Sequence, residues 1–439
     1  MELVLAPACL EQEGAFLRLY ANFRDRVARR MRICLLTYRG NMYCGGQGYY
    51  VYYLAKALRN LGHEVHIMAG PPYPLAPDGV KLHELEGLNL YETKALSSLE
   101  DPLRMLNPLN YYEVVAKQVG MFPEIFTFSM KAYLKLRELN PSVKFDVVHD
   151  NQTLGYGLLM MKGLGVPVVA TIHHPIPIDM KADLAQARRF ASKFKRIIFY
   201  SFAIMQGVVS KRMDRVITVS KSSADDVMRI FHVPESKVRI VHNGIDTDVF
   251  KKVDHVEKEP NRVIVVANTE DRKKGVIYLL KAIQLLKDDT DIKLTIVDRI
   301  GEHTKYAPRL VRELGLEDRV TFTGRLSTEE LVKRYSTAEV AVTASLYEGF
   351  GLPCAEAMSC GTPVIATKAG ALPEVVGNGS AGMLVSAEDP VALAGAIKQL
   401  LSDKPLRQRL GQAGRKRIEE AFSWEDAAKR TLEIYKEVV

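Results

Sequence analysis

The stretch that decides the fold begins with Arg32-Ile33-Cys34-Leu35-Leu36-Thr37-Tyr38, passes through Cys44-Gly45-Gly46-Gln47-Gly48 and continues as a helical pattern over 49–61. The apolar run predicts a buried strand. The glycines predict a loop through which backbone amides can approach a ligand at a helix N-terminus. A tight turn without a ligand is the alternative. The order G-G-Q-G-Y-Y is not G-x-G-x-x-G, which argues against a nicotinamide cofactor.

The alternation of short apolar strands and helices continues from here, and then it starts again. Strands are predicted in the first part at 64–69, 146–149, 166–172 and 215–219, and in the second at 262–267, 293–297, 320–322, 340–343 and 363–366. Helices are predicted between them, including 275–287, 328–335 and 354–358. Such an α/β pattern predicts two Rossmann-like, doubly wound lobes with parallel sheets. We place the first lobe at 31–244 and the second at 245–422, with the final segment, 423–439, as a separate helix.

The bulk composition is that of a globular protein with a basic surplus. The chain has 439 residues, of which 47% are hydrophobic and 26% charged, and a net charge of +8. This length suggests two domains. The positive charge suits phosphorylated substrates or an anionic membrane, and no reader motif indicates nucleic acid. Five scattered cysteines, the lack of a secretory signal and the lack of a long apolar run predict a cytoplasmic protein.

Three segments stand apart from the repeating pattern. Residues 1–30 are either an accessory helix or a region upstream of a start at Met31, and we assign them no chemistry. Residues 96–128 form a long insert that is rich in Met, Pro and aromatic residues. Residues 179–213 predict one long helical stretch with basic and apolar side chains. Its apolar face could pack into the lobe or lie on an anionic membrane, so peripheral membrane contact is one of two interpretations. The sequence does not predict the oligomeric state.

Histidines lie where two strands of the first lobe are predicted to end, in His149-Asp150-Asn151 and His173-His174-Pro175. Ligands of open α/β sheets bind at the carboxyl ends of strands, so these side chains could contact a sugar hydroxyl or a phosphate. Packing roles are the alternative. The spacing is not that of metal ligands, so no metal site is predicted.

In the second lobe, Arg272, Lys273 and Lys274 precede Gly275 at the start of a predicted helix. Cations beside a helix N-terminus suit a pyrophosphate, although a solvated basic turn would have the same composition. Earlier in the chain, Asn243-Gly244-Ile245-Asp246 predicts a turn at the lobe junction.

The most informative run is Glu348-Gly349-Phe350-Gly351-Leu352-Pro353-Cys354-Ala355-Glu356. It leads from a predicted strand into a helix. Its glycines would let amides reach a ligand, and carboxylates are good acceptors for vicinal sugar hydroxyls. A mere turn does not need this arrangement.

In these motifs, the sequence resembles the family 4 glycosyltransferases of the GT-B type. The resemblance covers nearly everything after Met31. It also rests on Val219-Ser220, Gly361-Thr362-Pro363-Val364 and Pro373-Glu374-Val375. It implies two lobes facing a cleft, with the acceptor in the first lobe, the nucleotide sugar in the second, and a final helix that crosses back to the first lobe.

The resemblance also implies roles for individual residues. The catalytic set is Glu348, His173 and Lys274. The expected donor-binding set is Gly46, Arg272, Arg299, Arg325, Phe350, Gly351, Leu352 and Glu356, in which Glu356 contacts the ribose. The acceptor-side set is His149, Asn151 and Gln47. No metal and no cofactor beyond the nucleotide sugar are expected.

The sequence departs from the family at the diphosphate. The family usually has Gly-Arg after the first strand of the second lobe, where this chain has Ala267-Asn268. It also has Asp298-Arg299 where a Gly-x-Gly turn is usual. Our hypothesis is that Arg272 or Arg299 supplies the missing charge.

The implied reaction moves a hexosyl unit from a nucleoside diphosphate to an acceptor hydroxyl with retention at the anomeric carbon. UDP-glucose is the first expectation for the donor and GDP-mannose the second, and the acceptor is a glycan, a sugar phosphate or a lipid. The alternatives are a nucleotide-sugar-binding protein without turnover, and a sugar phosphorylase or epimerase on the same architecture.

Overall fold

The computed structural model describes residues 30–40, 46–89, 105–187, 189–298 and 306–439. Residues 1–29 and Gly45 lie outside the described residues, as does Arg299. The sequence-based expectations for the N-terminal extension and for the Arg299 charge therefore have no structural counterpart here.

The first lobe is built on a parallel sheet of seven strands in the order β3-β2-β1-β4-β5-β6-β7. Its strands are β1 Arg32–Thr37, β2 Glu64–Ala69, β3 Lys81–Glu84, β4 Val147–Asn151, β5 Val168–Ile172, β6 Arg215–Thr218 and β7 Val238–Ile240. Every residue of β4 and β5 is buried, as expected for central strands that are covered on both faces.

Eight helices cover this sheet within the described residues. They are α1 Gln47–Asn60, α2 Pro108–Gln118, α3 Glu124–Val143, α4 Gly157–Lys162, α5 Ile176–Gln186, α6 Phe190–Phe199, α7 Phe202–Ser210 and α8 Lys221–Phe231. The expectation of one long helical stretch over 179–213 is wrong. The backbone is extended at Ala187 and Arg189, which separates α5 from α6, and a turn at Tyr200 and Ser201 separates α6 from α7.

The second lobe has a parallel sheet of six strands in the order β10-β9-β8-β11-β12-β13. Its strands are β8 Arg262–Val266, β9 Lys293–Val297, β10 Val320–Phe322, β11 Val340–Thr343, β12 Val364–Thr367 and β13 Met383–Val385. The helices are α9 Val276–Leu286, α10 Tyr306–Glu313, α11 Thr328–Thr337, α12 Leu352–Ser359, α13 Leu372–Val375, α14 Pro390–Ser402 and α15 Lys404–Ala421. Both sheets are doubly wound, which confirms the predicted architecture.

The last helix, α16 Trp424–Lys436, returns to the first lobe, as the resemblance implies. Its buried residues include Trp424, Ala428 and Tyr435, which belong to the same hydrophobic cluster as Ile33 and Leu54. Tyr53 of α1 stacks on Trp424 with ring centroids 5.6 Å apart and an interplanar angle of 13°. The core of the first lobe therefore includes a segment that follows the whole second lobe in sequence.

Candidate active site

Three helices begin at the cleft with a glycine in the left-handed region. Gly46 precedes α1 with φ 73°, Gly275 precedes α9 with φ 62°, and Gly351 precedes α12 with φ 99°. At each of these three described N-termini, no side chain caps the first amides. A Cβ on Gly46 would lie 3.4 Å from Leu352 Cδ1, so α1 and α12 present their N-termini to each other across the lobes. Helix N-termini favour anions, which makes this edge suitable for a diphosphate.

Lys274 and Glu348 form the charged centre of the second lobe. Lys274 Nζ donates to Glu348 Oε1 at 2.8 Å, and Ser345 Oγ donates to the same oxygen at 2.7 Å. Burial alone would lower the pKa of Lys274, but the Glu348 carboxylate outweighs it and the pKa is raised. Lys274 is therefore a fixed cation, and the carboxylate beside it has one oxygen already engaged. The side chains predicted as catalytic in this lobe thus contact each other directly.

The two lobes touch at Gly349. Its carbonyl oxygen accepts from Ser220 Oγ at 2.8 Å and lies 3.2 Å from Ser223 Oγ, which is also 2.8 Å from the carbonyl oxygen of His173. A Cβ on Gly349 would lie 2.4 Å from that same His173 oxygen. The absence of a side chain at this position therefore allows the backbones of the lobes to meet. This contact places His173 beside the Glu348–Glu356 run.

His173, Asn151 and Gln47 form one hydrogen-bonded unit on the first-lobe side of the cleft. His173 Nε2 is 2.7 Å from Asn151 Oδ1, and Asn151 Nδ2 donates to the Gln47 carbonyl oxygen at 3.1 Å. Tyr50 packs edge-on against the His173 ring, with centroids 4.9 Å apart. Burial, with a smaller contribution from His174, lowers the pKa of His173 to about 3. The imidazole is therefore neutral at pH 7 and is suited to hydrogen bonding rather than to carrying charge.

His149 is placed differently from its predicted acceptor-side role. It is 1% exposed. Its Nδ1 lies 2.6 Å from Tyr435 Oη, and its Nε2 lies 2.7 Å from Thr171 Oγ1. Both ring nitrogens are thus engaged inside the protein, and burial lowers the pKa of His149 to about 3. His149 therefore fastens α16 to the first sheet and does not face the cleft in this structure.

Glu356 lies in the first turns of α12 and is partly exposed. Tyr335 Oη donates to its Oε2 at 3.2 Å. Burial raises the pKa of Glu356 to about 7, although the Tyr335 hydrogen bond opposes this. A carboxylate held half-protonated near neutral pH needs hydrogen-bond donors to stay ionised, and a ribose diol would supply them. Its neighbour Phe350 is buried in the core that supports this helix.

Of the other predicted cations, Arg272 and Arg325 are among the described residues. Arg272 is exposed and stands over the Tyr306 ring, with its guanidinium carbon 4.9 Å from the ring centroid. Arg325 is also exposed. Thr269 donates its backbone amide to Asp298 Oδ2 at 3.0 Å, so the altered Asp298 anchors the loop that carries Asn268. Asp298 thus has a structural role, and the charge hypothesis for Arg272 stays a prediction.

Asp179 is a site residue that sequence reasoning missed. It lies in the first turn of α5, accepts from His174 Nε2 at 2.9 Å and also bonds Lys273 Nζ of the second lobe. Burial opposes its ionisation, but His174 and Lys273 lower the pKa of Asp179 to about 2. This ion pair therefore joins the lobes next to Lys274. No local motif marks Asp179, because its partner is 94 positions away.

The described residues were also considered as metal ligands and as membrane spans, and neither feature is present among them. Among these residues, no cluster of three or more His, Cys, Asp or Glu side chains has the placement to hold a metal ion. Within the same ranges, no helix is long and apolar enough to cross a membrane.

Comparison with known proteins agrees with this geometry. Residues 44–249 match the family model described as Glycosyltransferase Family 4, and residues 246–417 match the model described as Glycosyl transferases group 1. An MMP alpha-(1->4)-mannosyltransferase of Mycolicibacterium hassiacum is 39% identical, with 93% of this chain and 98% of that protein covered. An alpha-maltose-1-phosphate synthase of Mycolicibacterium smegmatis is 30% identical, with 93% and 100% covered.

A solved sucrose-phosphate synthase of Thermosynechococcus elongatus has the same fold, with a TM-score of 0.72 at 23% identity over 93% of this chain and 99% of that one. The two facing lobes and the site between them are those of a GT-B glycosyltransferase. This chain is similar to the mannosyltransferase over nearly the whole length of both proteins, which shows that it belongs to glycosyltransferase family 4. It is a hexosyltransferase, and the resemblance stated from the sequence is confirmed.

Proposed function

We propose that this enzyme moves a hexosyl unit from a nucleoside diphosphate sugar to a hydroxyl of a glycan, with retention at the anomeric carbon. The observation that carries the proposal is the Lys274–Glu348 pair, at 2.8 Å, beside the uncapped N-terminus of α12. A cation and free amides suit the diphosphate of a donor, and a carboxylate suits sugar hydroxyls. Both groups lie where the two lobes meet, which is where donor and acceptor must come together.

The chemistry follows from electrostatics. As the bond between the anomeric carbon and the diphosphate breaks, negative charge grows on the leaving phosphate. Lys274 and the amides of α12 stabilise that charge while the acceptor oxygen forms its bond to the anomeric carbon. The leaving phosphate oxygen takes the acceptor proton on the same face of the sugar, so the reaction does not depend on a strong side-chain base. Neutral His173 then orients a hydroxyl of the donor sugar.

We place mannose before glucose as the donor sugar, which reverses the order expected from the sequence. The relative that is 39% identical over nearly the whole chain is named an alpha-(1->4)-mannosyltransferase, which favours a mannosyl donor over UDP-glucose. The (1->4) linkage in the name of this relative favours a saccharide acceptor. Mannose differs from glucose in the configuration of one hydroxyl, so the contacts of Glu348 and His173 are the ones expected to discriminate.

The test measures binding and turnover separately. Thermal shift with GDP, UDP and ADP identifies the base, since a ligand of the folded state raises the midpoint. Transfer from GDP-mannose and UDP-glucose to short mannosides and glucosides then identifies the reaction, and NMR of the product linkage reports its anomeric configuration. We expect nucleoside diphosphate release, an α-linked product, and turnover that EDTA leaves unchanged.

Other outcomes would point to the alternatives. Donor binding without turnover on any acceptor would favour a binding protein. Dependence on inorganic phosphate would favour a phosphorylase, and a β-linked product would refute retention. A donor affinity that is unchanged in both Arg272→Ala and Arg299→Ala would refute the hypothesis that either arginine supplies the missing diphosphate charge.

A further inference from the structure

An exposed apolar surface lies on the first lobe, away from the Lys274–Glu348 pair. Its first stripe follows α2, where Tyr111, Val115 and Val119 recur every four residues and are 60%, 41% and 60% exposed. Its second stripe follows α6, where Phe190, Phe194 and Ile197 share one face and are 85%, 55% and 48% exposed. These six residues define the α2–α6 surface. Scattered single apolar residues are ordinary on proteins, but two adjacent stripes are not.

The two helices that carry the stripes are neighbours. The rings of Phe122, just after α2, and Phe199, at the end of α6, have centroids 5.5 Å apart. A Cβ on Gly120 would lie 3.9 Å from Ile198 Cγ2. The end of α2 therefore abuts the end of α6, so both stripes lie in the same region of the first lobe.

The packing of this region is incomplete without a covering surface. Helices α5 and α6 are described throughout, and neither contains a fully buried residue. A helix of about ten residues is only marginally stable in water, and most helices gain their stability from a buried face. Phe190, Phe194 and Ile197 of α6 point into solvent instead. The helix thus gains little from the protein itself and would gain more from an apolar environment.

The charges around the surface are of one sign. Lys117, Arg189, Lys193 and Lys195 are exposed on or beside the two helices. Across residues 105–122 and 189–204, all of them described, Glu113 is the only acidic residue, and it is 3% exposed. The surface therefore combines bulky apolar groups with a net positive charge and presents no carboxylate.

We propose that the α2–α6 surface is a docking site for an anionic lipid bilayer. Aliphatic and aromatic side chains that enter the headgroup boundary, flanked by Lys and Arg, are the features of a helix that lies on a membrane. A nucleic acid would use the cations but not Val115, Val119 or Ile197. The position of this surface also agrees with the proposal. Helix α5, which precedes α6, begins two residues after His174. It carries Asp179, which contacts Lys273 of the second lobe. Docking places the acceptor side of the cleft near the bilayer.

The experiment is vesicle flotation of the full chain with phosphatidylcholine vesicles and with vesicles containing one quarter phosphatidylglycerol. We expect binding to the anionic vesicles that weakens with salt. Lys193→Glu with Lys195→Glu should lower the partition coefficient by more than ~30-fold, since each cation contributes roughly fivefold near an anionic surface and the introduced carboxylates add repulsion. Phe190→Ser with Phe194→Ser should weaken binding similarly.

Matched controls come from the second lobe. Val391→Ser with Leu285→Ser removes apolar side chains that are 70% and 55% exposed, and Lys404→Glu with Lys416→Glu reverses two exposed charges. Both controls should bind as the wild type does. Circular dichroism and thermal melting check that every variant is folded, and because flotation uses neither donor nor acceptor, the proposal stays independent of the donor assignment.

Three results would overturn the proposal. The first is that the wild-type chain fails to float with anionic vesicles. The second is that the α2–α6 variants float as well as their controls do. The third is that ultracentrifugation shows a dimer that only the α2–α6 variants abolish while vesicle binding is unaffected, because a second copy of the chain would then be the occupant.

Discussion

Replacing Lys274 by Met separates two roles of one cation. Met keeps most of the apolar stem, so the main loss is the charge at 2.8 Å from Glu348 Oε1. The Glu348 side chain is 11% exposed and the Lys274 side chain is 27% exposed. Without Lys274, the Glu348 carboxylate therefore keeps its hydrogen bond from Ser345 and has little access to water. Breaking a well-buried pair costs about 3–5 kcal/mol, and the exposure of Lys274 reduces this to about 2 kcal/mol. For lobes of about 200 residues that is a fall in Tm of roughly 4–8 °C.

The double variant Lys274→Met with Glu348→Gln isolates the pair. A neutral amide needs no cation, so we expect the double variant to recover more than half of the lost Tm. Nucleoside diphosphate affinity, measured by calorimetry, should stay about 10- to 100-fold weaker in both variants, because a charge-assisted contact of about 1.5–3 kcal/mol is missing. A double variant as unstable as the single one would refute the pairing. One that binds nucleoside diphosphate as the wild type does would refute the diphosphate role of Lys274.

Three further perturbations test other parts of the site. Because burial raises the pKa of Glu356 to about 7, ionisation between pH 5 and 8 should destabilise the donor-free protein and strengthen nucleoside binding. In Glu356→Gln the binding trend should vanish and the stability trend should weaken, since burial also raises the pKa of Asp150 to about 7; thermal melts and calorimetry across that range would show it. Gly349→Ala puts a Cβ 2.4 Å from the His173 carbonyl oxygen, so we expect kcat to fall at least tenfold with little change in nucleotide affinity, and unchanged kinetics would contradict the lobe contact. Tyr435→Phe removes the partner of His149 Nδ1 and should cost about 1–3 kcal/mol in urea unfolding without affecting KM, whereas a raised KM would return His149 to the acceptor side.

The sequence predicts most of the sheets because central parallel strands are continuous apolar runs. Lys81–Glu84 was not predicted because it is an edge strand without such a run, and the edge strand Met383–Val385 was not predicted either. The breaks that divide 179–213 into three helices lie at Ala187 and Arg189 and at Tyr200 and Ser201, and none of these residues is glycine or proline. Composition alone carries no signal for such a break.

The site was predictable where its chemistry is local in sequence. The Glu348–Glu356 run carries its glycines and carboxylates together, and Lys274 precedes a glycine at a helix start. Asp179 was missed because its importance comes from a contact with Lys273 across the cleft. His149 was misplaced because its position at a strand end says nothing about whether a distant helix covers it. Long-range packing, rather than residue type, decided both cases.

The return of α16 to the first lobe has a consequence for how the chain folds during synthesis. Trp424, Ala428 and Tyr435 fill a groove beside α1, and Tyr435 satisfies a buried histidine of the first sheet. During synthesis, the first lobe therefore has an open apolar groove until the entire second lobe has been made. The first lobe can become native only after Tyr435 has been synthesised, so a chain stopped before Trp424 would leave the first lobe with this groove open.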